Sequence, residues 1–192
     1  MNPCSFVLFE TAIGWCGIAW SERGIVGVQL PQGGAPATGS RLLRRFPSAR
    51  EAVPPAPVQH TIADIVALLG GERRDLSRAI LDTEGVADFN RRVYQIARAI
   101  PAGATKSYGE IAERLGDRSL ARDVAQALGQ NPFPIIVPCH RVMAAGGKTG
   151  GFSAAGGVRT KLRLLSIERA QPGGAPTLFA DLPLAARPAR RR

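Results

Sequence analysis

The chain begins with three short apolar runs that are separated by turn signals. The runs cover residues 6–9, 15–20 and 25–28, and Gly14 and Gly24 mark the turns between them. Apolar runs of this length and spacing are typical of a β-meander, in which each strand pairs with the next one along the chain. The pattern therefore predicts a small antiparallel sheet at the N-terminus.

The segment after the meander changes first to a loop pattern and then to helical spacing. Residues 31–39 are rich in glycine and proline, which predicts a loop. Apolar positions then recur three and four residues apart over 41–46 and 58–69, which predicts two amphipathic helices. Gly70 ends the second helix, and the apolar pair at 80–81 predicts a last strand.

Two more helices are predicted at the two ends of the C-terminal half. The first covers residues 89–100, with Asp88 as its N-cap and Pro101 beyond its end. The second covers residues 158–169 and carries Glu168 in its last turn, where a carboxylate opposes the helix dipole and is expected to have a partner. The predicted buried face of this last helix consists of Val158, Leu162, Leu165 and Ile167.

A pair of shorter helices lies between these two. Ser107 and Glu110 have the spacing of a capping box, which starts a helix that ends at Leu115. A turn at 117–119 leads to a second helix over 120–128. Two short helices joined by a tight turn predict a helix-turn-helix, although a helical hairpin packed on the core has the same pattern.

Together these elements predict an α+β fold in three segments. Residues 1–84 are expected to form an N-terminal α/β support domain, residues 85–170 a mainly helical domain, and residues 171–192 a basic, disordered tail. No apolar run reaches the roughly 18 residues that a membrane helix needs, and the first residues lack a secretory signal. We therefore expect a cytoplasmic protein that does not bind membranes.

Positive charge is concentrated in the second half of the chain. Of a net charge of +10, residues 1–100 carry 11 Lys and Arg against 9 Asp and Glu, and residues 101–192 carry 14 against 6. Such an excess favours a polyanionic partner, nucleic acid before an anionic membrane.

The three cysteines show neither a disulfide pattern nor a metal pattern. Their odd number suits a reducing compartment. Cys4, Cys16 and His60 do not have the spacing of a zinc site, and no fourth ligand is present nearby. We therefore expect no bound metal.

The segment from Asn131 to Arg141 carries the strongest chemical signal. Prolines flank an apolar run at 135–137, which predicts a short buried strand that presents Cys139 at its end. His140 and Arg141 follow directly, and their field would favour the reactive thiolate over the thiol. A small buried cysteine without reactivity is the alternative interpretation.

This segment resembles the active-site signature of a known family. The motif Pro138-Cys139-His140-Arg141-Val142, with Gly-Gln-Asn-Pro before it at 129–132 and Gly-Gly-Phe-Ser after it at 150–153, is similar to that of the 6-O-alkylguanine-DNA alkyltransferases. These DNA-repair proteins are also called methylated-DNA–protein-cysteine methyltransferases. The resemblance is strong over residues 88–168 and implies a ribonuclease H-like N-terminal domain and a winged-helix, helix-turn-helix-like C-terminal domain.

The resemblance also implies roles for individual residues. Cys139 would accept the alkyl group, His140 would take the thiol proton through a water, and Glu168 would hold the histidine. Asn131 would position the thiol, and Tyr108 would donate a hydrogen bond to the guanine. The alternatives are a surface ion pair of Glu168 with Arg169 or Lys161, a helix-ending turn for Asn131 and a buried aromatic for Tyr108.

DNA contacts and pocket walls are implied in the same way. Arg122 would replace the extruded nucleotide in the base stack, within a DNA-binding set of Arg122, Ala121, Ala125, Gln126, Ala127 and Arg141. The substrate pocket would be lined by Tyr108, Val142, Phe152 and Ser153. The chain departs from the usual pattern at Asp123, at Ala125, where glycine is usual, and at Phe152, where tyrosine is usual.

The implied reaction is the irreversible transfer of an alkyl group from 6-O-alkylguanine in double-stranded DNA to Cys139. It would occur once per molecule, in a monomer and without a cofactor. A non-enzymatic helix-turn-helix protein that binds lesions or regulates transcription is the main alternative, but lesion-binding relatives have tryptophan in place of the cysteine. A cysteine hydrolase is the second alternative and would turn over repeatedly.

Overall fold

The N-terminal half is built on a four-stranded sheet in the computed structural model, which describes residues 4–170. The strands are β1 (Ser5–Thr11), β2 (Gly14–Ser21), β3 (Gly24–Gln29) and β4 (Arg50–Glu51), in the spatial order β3-β2-β1-β4. The first three strands form the predicted antiparallel meander, and β4 pairs in parallel with β1. The apolar pair at 80–81 forms only a bridge from Leu81 to Ile25, so the predicted last strand is wrong.

The first helix, α1 (Ala35–Arg45), begins inside the segment that was predicted to be a loop. Pro36 lies in its first turn, where a missing N–H costs nothing and the fixed torsion favours the helix. Gly39 is buried, and a Cβ atom there would lie 3.3 Å from Leu8 of the sheet. The proline and glycine thus start a helix and let it approach the sheet, rather than breaking it. The next helix, α2 (Ala56–Leu69), agrees with the prediction and ends at Gly70.

The C-terminal half is mainly helical. Its elements are α3 (Asp88–Arg98), β5 (Lys106–Ser107), α4 (Tyr108–Arg114), α5 (Ala121–Gly129), β6 (Val142–Met143) and α6 (Val158–Ile167). A single 3-10 turn, Arg118–Leu120, joins α4 to α5, which gives the predicted pair of helices. The capping box is confirmed, because Ser107 accepts from the backbone N–H of Glu110 and Glu110 accepts from that of Ser107.

Two helix details differ from the predictions. The cap position of α3 is Ala87, and Asp88 is already helical and pairs with Arg91 instead of capping. On α6, Val158 and Leu162 are exposed, whereas Leu164 and Leu165 are buried together with a charged residue, Lys161. An apolar pattern cannot place a buried lysine on the inner face, so the predicted face was right at Leu165 and wrong at Val158 and Leu162.

One apolar core connects the two halves. It includes Ile18 of the sheet, Ile65 of α2, Val93 of α3, and Phe133 and Val137 of the segment between α5 and β6. Within residues 4–170, no helix has the length and apolar character that crossing a membrane requires. The tail predicted for residues 171–192 lies outside the described residues.

Candidate active site

Cys139 is delivered by a tight turn and not by the predicted strand. The N–H of Val137 donates to the carbonyl of Phe133 at 2.8 Å, and Ile135 has a φ of 75°. A β-branched residue in this left-handed region is strained by roughly 1–3 kcal/mol. The prolines therefore frame a turn, which leads into a 3-10 turn over Cys139–Arg141.

Asn131 holds this strained turn from within. Its Nδ2 donates to the carbonyl of Val137 at 2.8 Å, and its Oδ1 accepts from the N–H of Phe133 at 2.9 Å. Both ends of the turn are thus tied to one side chain, which fixes the place of the residues that follow. The predicted positioning role of Asn131 has a structural basis in these two bonds.

The outer strand of the sheet is also bonded to this turn. The N–H of Val28, on β3, donates to the carbonyl of Pro132 at 2.9 Å. A Cβ atom on neighbouring Gly27 would lie 3.2 Å from the same carbonyl and 2.6 Å from the ring of Phe46. The absence of a side chain at Gly27 therefore permits the close approach of sheet and turn.

Behind the thiol, a buried carboxylate holds both residues that follow Cys139. Oε1 of Glu168 lies 2.9 Å from Nε2 of His140 and 2.8 Å from Nη2 of Arg141, and its Oε2 accepts from Nε of Arg141 at 2.8 Å. Arg141 also donates to the carbonyl of Ile100 at 2.5 Å. All three side chains are almost completely shielded from solvent. Glu168 is therefore not in a surface ion pair with Arg169 or Lys161.

The protonation of this cluster follows from its contacts. Burial alone would raise the pKa of Glu168, but the hydrogen bonds from His140 and Arg141 outweigh it and lower that pKa to about 2. Burial lowers the pKa of His140 despite the nearby carboxylate. A neutral His140 therefore donates from Nε2 to the ionised Glu168. Its Nδ1 is then an acceptor, and this buried atom has no hydrogen-bond partner within residues 4–170.

The thiol of Cys139 is in an environment that opposes ionisation. Burial raises its pKa, and the hydrogen bond with Asn131 and the charge of Lys161 act in the opposite direction. Glu168 compensates the charge of Arg141, and His140 is neutral. The two residues that follow Cys139 therefore do not provide the positive field that was expected to stabilise its thiolate. The resting side chain is a thiol that requires a base.

Lys161 is a part of the site that the sequence did not reveal. It is completely buried, its Nζ donates to the carbonyl of Val142 at 2.5 Å, and it lies 5.9 Å from the centre of the Tyr108 ring. Burial lowers its pKa to about 8, although Cys139 acts in the opposite direction. The sequence interpretation considered Lys161 only as a surface partner of Glu168, because a lysine on a helix is usually exposed.

Cys139, which is half-buried, lines two cavities. The helix-side cavity has a volume of about 390 Å³ and is bounded by Tyr108, Ala125, Leu128, Gly129, Cys139, Gly151, Phe152 and Ser153. The sheet-side cavity, of about 230 Å³, shares Leu128, Gly129, Cys139, Phe152 and Ser153 but extends to β3 and α1. Small-molecule sites commonly occupy roughly 300–1,000 Å³, so the helix-side cavity can hold a ligand next to the thiol.

Helix α5 borders the helix-side cavity and presents a mixed face. Arg122 and Gln126 are exposed, and Ala121 and Ala125 are partly exposed. Ala127 is buried, and its carbonyl accepts from the hydroxyl of Tyr94 at 2.9 Å. Four of the five predicted DNA-contacting residues on this helix are therefore accessible.

Comparison with known proteins gives a consistent result. Residues 88–170 match the family model described as 6-O-methylguanine DNA methyltransferase, DNA binding domain. The chain is 33% identical to the methylated-DNA–protein-cysteine methyltransferase of Methanothermobacter thermautotrophicus, over 79% of this chain and 78% of that protein. It is 38% identical to the corresponding Mycobacterium tuberculosis protein, over 76% and 88%.

The chain belongs to the methylated-DNA–protein-cysteine methyltransferase family. Its fold agrees with this assignment: the crystal structure of Mycobacterium tuberculosis O6-methylguanine methyltransferase superimposes with a TM-score of 0.68, at 31% identity, over 91% of this chain and 96% of that chain. Mycobacterium tuberculosis OGT in complex with DNA gives 0.66, at 31% identity, over 86% and 93%. The predicted family, enzyme class and DNA partner are confirmed, and so is DNA repair by alkyl transfer.

Within this methyltransferase, the structure brings together most of the predicted site residues. Cys139, Tyr108, Phe152 and Ser153 line one cavity, with His140 and Glu168 behind the thiol. Three predictions are wrong. Arg141 and Ala127 are buried and are not available to DNA, and Val142 lines neither cavity because its side chain is completely buried.

Proposed function

We propose that Cys139 is the residue that accepts the alkyl group from 6-O-alkylguanine. The observation that carries the proposal is the position of this half-buried thiol on the wall of the helix-side cavity, beside the buried pair of His140 and Glu168. Cys16 is a poor candidate, because it is completely buried and its pKa is raised by burial to about 11.

The proton of the thiol passes to His140. Its Nδ1 is the unprotonated nitrogen, because Nε2 faces the carboxylate of Glu168. A bridging water, which the family resemblance implies, carries the proton from Sγ to this nitrogen. The imidazolium that forms is stabilised by the ionised Glu168, whose position Arg141 fixes through two hydrogen bonds. Positive charge at His140 then stabilises the thiolate beside it.

The thiolate attacks the alkyl carbon, and the bond from that carbon to the guanine oxygen breaks. Negative charge develops on the guanine and is reduced by a hydrogen bond to a ring nitrogen. Tyr108 is suited to donate this bond, because burial raises the pKa of its hydroxyl and keeps it protonated. Phe152 forms a wall of the base pocket, and the backbone N–H of Ser153 donates to the guanine oxygen.

The product side chain is a thioether, which water does not hydrolyse. Each molecule therefore reacts once, and the net reaction needs no cofactor because the thiol proton compensates for the alkyl group that the guanine loses. This expectation separates the protein from a cysteine hydrolase, which forms a hydrolysable thioester and turns over.

Double-stranded DNA carrying the lesion is held by α5. The exposed Arg122 and Gln126 and the small Ala121 and Ala125 form a face that can approach a minor groove closely. Arg122 fills the gap that the extruded nucleotide leaves in the stack, at an unstacking cost of a few kcal/mol. The negative charge of Asp123 on the same helix turn repels DNA phosphates, and the positive charges of Arg122 and Arg118 attract them.

The proposal also covers the two domains, the oligomeric state and the cellular compartment. Residues 1–84 form a ribonuclease H-like support domain, and residues 85–170 form a winged-helix, helix-turn-helix-like domain that carries the reaction. The match of the family model to residues 88–170 supports this boundary. The protein acts as a cytoplasmic monomer. A role as a lesion binder without transfer is disfavoured by the reactive geometry around Cys139.

The test is a mass measurement after exposure to duplex DNA that contains 6-O-methylguanine. We expect one methyl group on the peptide that contains Cys139, in a single burst that equals the amount of protein. Cys139→Ala abolishes the label, and Cys4→Ala, which changes the other half-buried thiol, retains it. Continued turnover, or a label that persists in Cys139→Ala, contradicts the proposal.

A second measurement tests the DNA-binding face. Arg122→Ala is expected to slow transfer from duplex DNA by about tenfold or more, since unstacking is no longer compensated, and to spare transfer from the free base 6-O-methylguanine. Arg118→Ala, an exposed arginine of the preceding turn, serves as the control. Equal loss on both substrates removes the proposed role of Arg122.

A further inference from the structure

The sheet-side cavity has no part in the proposed mechanism, although it reaches the reactive cysteine. One side of it consists of the residues that it shares with the helix-side cavity, including Cys139 and Ser153. The other side comes from the N-terminal half, with Gln29 of β3 and Arg41 and Arg45 of α1. One water takes up about 30 Å³ of liquid, so a cavity of about 230 Å³ has room for a short chain of heavy atoms beyond the sulfur.

The charge of this cavity is of one sign. Of the residues that the structure describes, Arg41 and Arg45 are the only charged ones that line it, and they are one helical turn apart on α1. Within residues 4–170, neither guanidinium has a carboxylate within ion-pair distance. Burial, and then the charge of Arg41, lower the pKa of Arg45, so the repulsion between the two cations is not compensated.

Arg45 is also held in a defined place. Its Nη1 donates to the carbonyl of Val28 at 3.3 Å, and its guanidinium lies 5.4 Å from the centre of the Phe46 ring. Val28 is the residue whose N–H bonds to the active-site turn. The carbonyl of Val28 that accepts from Arg45 is not part of that bond, so Arg45 is fixed beside the cavity without taking part in the turn.

On the basis of the proposed function, we propose that the sheet-side cavity receives the far end of alkyl groups larger than methyl, and that Arg41 and Arg45 favour groups that end in a carboxylate. Carboxymethyl is the smallest such group. The helix-side cavity holds the guanine, the reacting carbon lies at the sulfur, and the carboxylate extends past it toward α1.

The chemistry of transfer is unchanged and balances in the same way. The thiolate of Cys139 forms a bond to the methylene carbon, the bond from that carbon to the guanine oxygen breaks, and its electron pair stays with the guanine, which takes up one proton. A carboxylate next to the methylene carbon repels the approaching thiolate. Two cations near the carboxylate reduce this repulsion and hold the charged product group after transfer.

The experiment compares three adducts in the same duplex: 6-O-methylguanine, 6-O-carboxymethylguanine and 6-O-carbamoylmethylguanine, which has nearly the shape of the second but no charge. The variants are Arg41→Met/Arg45→Met and, as a matched control, Arg44→Met, an exposed arginine of α1 that does not line the cavity. Single-turnover transfer rates are measured for each pair of protein and adduct.

We expect the double variant to lower the ratio of carboxymethyl to carbamoylmethyl rates by about tenfold, the size expected from two exposed charge contacts. The methyl rate changes less than about twofold, and Arg44→Met leaves the ratio unchanged. An unchanged ratio in the double variant overturns the inference. A uniform loss on all three adducts also overturns it, because it shows that the arginines bind DNA phosphates. If the unmodified protein does not methylate Cys139, the proposed function fails, and the inference fails with it.

Discussion

Replacing Glu168 by glutamine tests the buried cluster behind the thiol. The pKa of Glu168 is lowered from 4.5 to about 2 in the folded protein. The difference of about 2.5, at 1.36 kcal/mol for each pKa unit, corresponds to roughly 3 kcal/mol of stability. Because the folded pKa is the lower one, this contribution is complete above about pH 4.5 and is lost as the pH falls toward 2.

We therefore expect Glu168→Gln to lower the free energy of unfolding by about 3 kcal/mol at pH 7, since Arg141 is left buried without a counter-charge. The difference from the unmodified protein should be smaller at pH 3.5. Urea unfolding followed by tryptophan fluorescence at both pH values measures it. Glu113→Gln, at an exposed position of α4, is the matched control and should change stability by less than about 0.5 kcal/mol.

The same variant should also transfer methyl groups more slowly, because the imidazolium of His140 loses its ionised partner. A loss of stability below about 1 kcal/mol at pH 7, or the same loss at pH 3.5, would refute the electrostatic account of this cluster. If the folded variant transfers methyl groups at the normal rate, Glu168 does not assist the proton transfer from Cys139 to His140.

Three further changes follow from the described contacts. Lys161→Met should raise the pKa of the Cys139 thiol and slow its reaction with iodoacetamide near neutral pH. Lys161→Arg should restore part of the rate, and Lys148→Met should have no effect. Equal rates in all three variants would show that the charge of Lys161 does not act on the thiol. Asn131→Ala should lower the free energy of unfolding by about 2 kcal/mol, because the variant loses two hydrogen bonds of the active-site turn. It should also slow methyl transfer at temperatures where the variant is still fully folded. Ser107→Ala should cost about 1 kcal/mol through its cap, and Ser107→Thr should recover most of it, both read from thermal melts.

Local rules in the sequence were sufficient where the deciding interactions are local. The meander and the capping box at Ser107 and Glu110 depend on residues a few positions apart, and both were predicted correctly. A helix was predicted over 41–46, but the first part of α1, at Pro36 and Gly39, was predicted to be a loop, because packing against the sheet stabilises it and no loop rule includes such packing. The turn at Ile135 was missed because apolar periodicity does not predict a β-branched residue at positive φ, and because part of the support for this turn comes from the distant Val28 of β3.

The active site was predicted from a sequence motif, and this motif did not predict every contact that the site residues make. The bond between His140 and Glu168 agrees with what the resemblance implied. The second partner of Glu168, Arg141, was assigned to DNA because an arginine in a basic segment has no local feature that distinguishes burial from exposure. Lys161 was overlooked for a related reason, since only the folded chain places it under Tyr108.

The bond between Val28 and Pro132 makes the N-terminal half more than a scaffold. A fragment that begins at residue 85 would retain Cys139 and His140. It would lack β3, which bonds to the active-site turn, and the residues of β3 and α1 that line the sheet-side cavity. Fusing that fragment to a foreign partner would not restore these supports. We expect a separately produced segment 1–84, added in trans, to restore them only if it pairs β3 with the turn again.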